Sequence, residues 1–336
     1  MAAAVTSDAR WRLEVHTDAE DPRRQLIDDA RNGLLSAPRW ISSKYFYDDA
    51  GCALYDQITE LPEYYPARTE IEILHRCLAG IIDRYQPAEL VELGAGASPK
   101  TRVLLDAMGG SGRAVHYIPL DVAAPALRRA SSALCADYPR LTIHAIAADF
   151  TQHLDVVPSP TSGTGRLVAF LGGTFGNIAP SQQRAFLNGI AALLGPGDAA
   201  LIGVDPATDP ERTRRAYDDA SGVTAQFNRN ILHVMNRDLN ADFPIHEFGH
   251  VARWVPEAHR VEMRLRADAE MVVHIGALAC DIAIAAGEEI LTEICGKFAR
   301  TQIDAIAGEA GLEVCEWHTD PDELFALSVV RRIPAS

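Results

Sequence analysis

The sequence predicts an α/β fold: a doubly wound, Rossmann-like parallel sheet, interrupted by a second, mixed α+β domain and ending in two further strands. Three observations predict it. Short apolar runs alternate with helical stretches over residues 88–205, the pattern of strands joined by right-handed helical crossovers. The first run, with Leu90, Val91 and Leu93, leads into a Gly94-x-Gly96 bend, and Pro99 then opens a helix. Finally, acidic or small residues stand at the carboxyl ends of the runs, where such sheets bind ligands: Asp121, Asp149, the turn from Gly172 to Asn177, and Asp205.

At 336 residues, 48% hydrophobic and 23% charged, the chain is an ordinary globular protein with ample length for a core. A net charge of -15 speaks against nucleic acid or an anionic membrane as main partner, because both require a basic surface. A small-molecule substrate is expected instead, bound by a monomer. The six cysteines are scattered without a C-x-x-C pair, which predicts reduced thiols. The opening MAAAVTSDARWRLEV lacks the basic and apolar regions of a signal peptide, and no apolar run is long enough for a membrane helix. A cytoplasmic protein is expected.

In chain order, residues 1–20 show no sustained period and are expected to be a mobile N-terminal tail. Leu26, Ile27, Ala30, Leu34 and Leu35 then fit an amphipathic helix with Pro22 in its first turn. The segment YFYDDAGCALYDQITELPEYYP carries five of the nine tyrosines, Tyr45, Tyr47, Tyr55, Tyr64 and Tyr65. Such a cluster lines a pocket or simply packs half-buried, and the residues alone favour packing. Residues 67–85 read as a helix into the first strand.

After the glycine bend, residues 100–108 are helical and residues 114–120 form a second strand ending at Asp121, 27 residues beyond Gly94. An acid there accepts from ribose hydroxyls or caps the next helix. A third strand, 141–147, ends in Asp149-Phe150, a pair able to accept from an adenine amino group and cover its ring. Strands over 166–171 and 199–204 complete the parallel set. The bend itself departs from a dinucleotide fingerprint, because Pro99 holds the third glycine position; it serves a nucleotide-containing ligand or a structural turn.

Residues 209–238 read as helical, and four short strands follow over 251–254, 261–266, 271–277 and 281–285. The end carries a helix over 302–310 and strands over 312–317 and 325–331. One motif is rejected. His246-Glu247-Phe248-Gly249-His250 matches the H-E-x-x-H of zinc hydrolases, but Gly249 and Pro244 disfavour the helix it needs. Arg253 and Pro256 stand where the longer metzincin pattern has glycine and histidine, so no metal is expected.

Glu92 ahead of Gly94, with Gly-x-Gly-x-Ser after it, resembles the first motif of class I S-adenosylmethionine methyltransferases, whose parallel sheet usually ends in an antiparallel hairpin. More specifically, YFYDDAG, LPEYYPARTE, VELGAGASPKTR, FLGGTFGNIAP, RAYDDASGVTAQFNRN, HVARW, RVEMRLRA and LTEICGKF together resemble the S-adenosylmethionine-dependent histidine Nα-methyltransferases of ergothioneine biosynthesis, over roughly residues 40–330.

That resemblance implies cofactor contacts at Gly94, Lys100, Asp121, Asp149 and Phe150. It implies that Tyr64, Asn177 and Tyr217 hold the substrate's amino and carboxylate groups, that Tyr47 stands near the methylated nitrogen, and that Glu293 reads the imidazole. Two residues on, where the family commonly has serine, this chain has Cys295, followed by Gly296; a thiol is a weak hydrogen-bonding group. The implied domains are residues 21–68 and 208–296 for substrate, and 69–207 and 297–336 for S-adenosylmethionine. The implied activity is transfer of three methyl groups to the α-nitrogen of L-histidine, giving the betaine hercynine. The alternatives are the same chemistry on another amino acid, such as tryptophan or a modified histidine, and a non-catalytic S-adenosylmethionine-binding module. GNIAP has a distant likeness to the Asn-Pro-Pro-aromatic motif of methyltransferases acting on amide or exocyclic nitrogens, but Ile178 and Ala179 follow Asn177.

Overall fold

The computed structural model describes residues 3–8, 10–16, 22–95, 99–110, 112–160, 165–206 and 209–334. The chain divides into two compact units, one of Met1–Asp18, Arg68–Pro206 and Phe298–Ser336, the other of Ala19–Ala67 and Ala207–Lys297.

The first unit is built on a nine-stranded sheet. From one edge the strands run Ala3–Asp8, Trp11–Val15, Leu141–Ala147, Val115–Asp121, Pro87–Leu93, Gly165–Phe170, Ala199–Val204, Ala326–Arg332 and Leu312–Thr319. The five strands from Leu141–Ala147 to Ala199–Val204 are parallel, and the last two pair antiparallel. This is the class I methyltransferase order, with the first parallel strand in the middle. Chain order reverses on either side of Pro87–Leu93, so the Gly94 turn stands at the topological switch point, where open α/β sheets bind ligands.

The strands read as nearly continuous apolar runs because both faces are covered. Leu90, Tyr117, Ile143, Leu167 and Leu201 pack beneath helices Tyr65–Tyr85, Pro99–Gly109 and Ala124–Asp137. Val91, Ile118, Ile146, Val168 and Ile202 fill the other face with Phe186 and Ile190 of helix Pro180–Leu193 and Ile303 of helix Arg300–Glu309. The period-two alternation thus divides each strand between two cores.

The mobile tail expected over residues 1–20 is corrected. Strands Ala3–Asp8 and Trp11–Val15 pair antiparallel, and Trp11–Val15 adds in parallel to Leu141–Ala147. The cause is legible afterwards: Trp11, Leu13 and Val15 alternate with Arg12 and Glu14, and Leu13 is buried in the sheet core.

The second unit holds helices Pro22–Leu34, Asp49–Glu60, Pro210–Ala216 and Val223–Leu239. Its sheet is three antiparallel strands, Phe248–Val255, Arg260–Ala267 and Glu289–Gly296, and a hairpin joins Met271–Ile275 to Cys280–Ile284. Residues 209–238, read as one helical stretch, are two helices. The break is fixed by Asp219, whose carboxylate accepts from Ser221 Oγ and from the Val223 and Thr224 amides, capping the second helix. Against the cost of burial, these bonds hold its carboxyl well below the usual range. Among the described residues no helix is long and apolar enough to cross a membrane.

Candidate active site

In the first unit, the predicted cofactor residues gather at the carboxyl ends of the parallel strands. Gly94 has φ of +71°, a conformation that disfavours side chains, and a Cβ there would stand 3.4 Å from Phe150 Cε1. Phe150 is held edge-on by Phe170, at 5.4 Å between ring centroids, and by Phe186. A bare glycine turn with an aromatic ring beside it is a cradle that fits a nucleoside. Gly96 lies outside the described residues.

Asp121 Oδ1 accepts from the Ala123 amide at 2.9 Å and holds its own turn; the next helix, Ala124–Asp137, has Ala123 at its N-cap and no side-chain cap. Asp149 likewise holds its own turn, accepting from the Thr151 amide and hydroxyl and from Gln152 Nε2. Asn177 closes the short helix Thr174–Asn177 after strand Gly165–Phe170.

Glu70, an ordinary charged residue in the sequence, anchors this region. Fully buried, it accepts from Lys100 Nζ at 2.7 Å and from the Gly172 amide at 2.8 Å. One carboxylate thereby joins the lysine of helix Pro99–Gly109 to the loop after strand Gly165–Phe170. Gly203 is glycine for this reason, since its Cβ would stand 1.9 Å from Glu70 Oε1.

Glu92, also buried, accepts from Tyr117 Oη at 2.6 Å and Thr101 Oγ1 at 2.9 Å. Desolvation outweighs these bonds and raises its carboxyl from 4.5 to about 7. Folding then favours the protonated acid, and the associated stability is lost as pH rises from about 4.5 through about 7. At about 1.4 kcal/mol per pKa unit the effect is on the order of 3 kcal/mol. Glu92→Gln, which keeps both acceptor bonds, should therefore gain stability relative to wild type between pH 5 and pH 8. Urea unfolding of both proteins at the two pH values checks this; an unchanged difference would mean that Glu92 does not titrate in this range.

The second unit collects the tyrosines. Tyr47 is 5.8 Å from Tyr55 and 5.7 Å from Phe227 between centroids, Tyr55 is 6.3 Å from Tyr64, and Tyr64 is 6.3 Å from Tyr217. All four contacts are edge-on, a favoured aromatic geometry. Tyr45 and Tyr65 instead serve packing, bonded to Asp29 and Thr213.

Tyr47 is placed by its neighbour Asp48, which caps helix Asp49–Glu60 through the Gly51 amide and accepts from Asn230 Nδ2 and Arg237. Desolvation, followed by the charge of Glu293, holds the Tyr47 phenol well above its ordinary range. Because 38% of Tyr47 is exposed, the packed rings around it rather than a sealed cavity supply that desolvation. Burial raises Tyr64 in the same direction. These phenols stay neutral.

Glu293 and Cys295 lie on strand Glu289–Gly296, whose pairing with Arg260–Ala267 shifts register between Leu291 and Glu293. The irregularity turns Glu293, Cys295 and the following Lys297 to the buried side, on which Ile290 and Thr292 already lie. Strand periodicity alone would have put Glu293 on the opposite face from Thr292.

Thr292 Oγ1 donates to Asn228 Oδ1 at 2.6 Å, Asn228 Nδ2 donates to His250 Nδ1 at 2.8 Å, and His250 Nε2 donates to the Tyr217 carbonyl at 2.9 Å. Burial keeps His250 below its ordinary pKa, consistent with the neutral tautomer this chain requires. The H-E-x-x-H match thus contains a support for Tyr217. Its residues run from the turn Ile245–Glu247 into strand Phe248–Val255 rather than along a helix. Among the described residues no group of three or more side chains could hold a metal ion.

Residues 26–332 match the model of a family described as histidine-specific methyltransferase, SAM-dependent. The histidine N-alpha-methyltransferase of Mycolicibacterium smegmatis is 47% identical over 94% of this chain and 97% of its own length. That of Mycobacterium tuberculosis is 44% identical over 91% and 95%. Ergothioneine biosynthesis protein 1 of Neurospora crassa is 33% identical over 59% of this chain and 23% of its own.

Proposed function

The chain belongs to the histidine-specific, S-adenosylmethionine-dependent methyltransferases, and from that premise we propose that it methylates the α-amino nitrogen of L-histidine three times, yielding hercynine for ergothioneine biosynthesis. The observation that carries the substrate assignment is the buried Glu293, turned by the strand irregularity to the buried side of its strand, in the unit that holds the tyrosine cluster. A carboxylate there accepts from an imidazole N–H or pairs with imidazolium.

S-adenosylmethionine supplies an electrophilic methyl group on a sulfonium. For it we propose Gly94, Lys100, Asp121, Asp149 and Phe150 as contacts, the glycine for close approach and the ring for the adenine face. The chain's remaining task is to align an amine and leave its lone pair available. Tyr64 and Tyr217 hold the polar head of the substrate, and Tyr47 stands at the nitrogen; Asn177 is assigned to the same polar head by resemblance. Neutral phenols orient an amine without fixing a competing charge, and their ring faces stabilise the quaternary nitrogen formed at the third transfer.

The test is mass spectrometry of products after incubation with S-adenosylmethionine and each standard amino acid separately. Histidine should gain one, two and three methyl groups. Transfer only to another amino acid would replace histidine as substrate, and transfer to none would replace this reading with a modified substrate or a binding module.

Cys295 bears on the imidazole contact. Its Sγ accepts from Tyr217 Oη at 2.9 Å, a bond that a serine can also accept. Cys295→Ser should therefore leave histidine turnover within about twofold of wild type or raise it, since a hydroxyl is the stronger hydrogen-bonding group. Steady-state kinetics would expose a separate role for the thiol as a large loss.

A further inference from the structure

We propose that Lys297 sets the selectivity of the substrate pocket for an α-carboxylate, acting as a positioning residue through the Tyr217 hydroxyl; this rests on the histidine reading above. Lys297 is only 2% exposed, and a cation is buried at such cost only where polar groups receive it. Its Nζ donates to Tyr217 Oη at 3.1 Å and to Cys295 Sγ at 3.4 Å, and stands 4.9 Å from the centroid of the Tyr217 ring. The ammonium therefore fixes the phenol by its oxygen and its face together.

A phenol oxygen that accepts from an ammonium is held in one place, and the buried positive charge makes its surroundings favourable to an anion. Glu293, Cys295 and Lys297 follow one another along one buried side, with the acid and the cation at its two ends. That polarity matches a substrate with an N–H-bearing ring at one end and a carboxylate at the other. A decarboxylated amine satisfies the acidic end alone.

The experiment compares L-histidine with histamine, which keeps the imidazole and lacks the carboxylate, by titration calorimetry on the full chain with S-adenosylhomocysteine present. Lys297→Met should raise the histidine Kd by at least about tenfold and leave the histamine Kd within about twofold, collapsing the preference between them. Lys297→Arg should restore most of it. General damage to the pocket would weaken both ligands alike, and that result, or an unchanged histidine Kd, would overturn the proposal.

If Lys297→Met does not fold, Tyr217→Phe reads the same ratio, because it removes the hydroxyl through which the ammonium acts; an equal loss for both ligands overturns the proposal there too. Wild-type protein that binds no histidine would instead overturn the substrate reading. The comparison is then made with the amino acid found in the product screen and its own decarboxylated amine.

Discussion

Gly203→Ala is expected to weaken S-adenosylmethionine binding by at least about tenfold and to lower the unfolding free energy by about 1–3 kcal/mol, the usual range for overpacking. The new methyl would stand 1.9 Å from Glu70 Oε1 and 3.2 Å from Phe325 Cε1. Glu70 cannot simply swing aside, since it is fully buried and bonded to both Lys100 and the Gly172 amide. Displacing it releases the lysine and the loop at once. Glu70→Gln separates the two effects: it keeps the size, weakens the hold on Lys100, and should lose cofactor affinity with a smaller loss of stability. Calorimetry with S-adenosylmethionine and urea unfolding give the two readouts. Wild-type affinity in both variants would mean that Glu70 does not organise the cofactor contacts.

Glu293→Ala should raise the histidine KM by about 10- to 100-fold, the worth of one hydrogen bond to a charged group, with cofactor affinity unchanged within about twofold. Glu293 lies in the second unit, whereas Gly94, Lys100 and Asp121 belong to the first, so the two affinities should separate. A matching loss in both would point to general damage. Unaltered histidine kinetics would remove Glu293 from the site.

The parallel strands are legible because each is an apolar run bounded by polar turn residues, and Gly94, Asp121 and Asp149 mark the carboxyl ends of three of them. The N-terminal hairpin was overlooked although Trp11, Leu13 and Val15 carry a strand's alternation. Five residues between polar neighbours are a short signal, and the partner strand, Leu141–Ala147, lies far along the chain. Glu70 and Lys297 were missed for a related reason. Each reads as an ordinary charged residue until folding brings it partners distant in sequence, Gly172 for one and Tyr217 for the other. The register shift before Glu293 leaves no pattern in LTEICGKF, because a strand irregularity is set by the pairing of two strands. A preference for the pocket reading of Tyr47 and Tyr64 came from family resemblance, not from composition.

Triple methylation at the α-nitrogen of histidine is open to tandem mass spectrometry with isotopically labelled methyl groups on S-adenosylmethionine. All three labels should be found on the α-nitrogen of one product, with the imidazole unlabelled. Label on a ring nitrogen, or accumulation of a singly methylated end product, would contradict it.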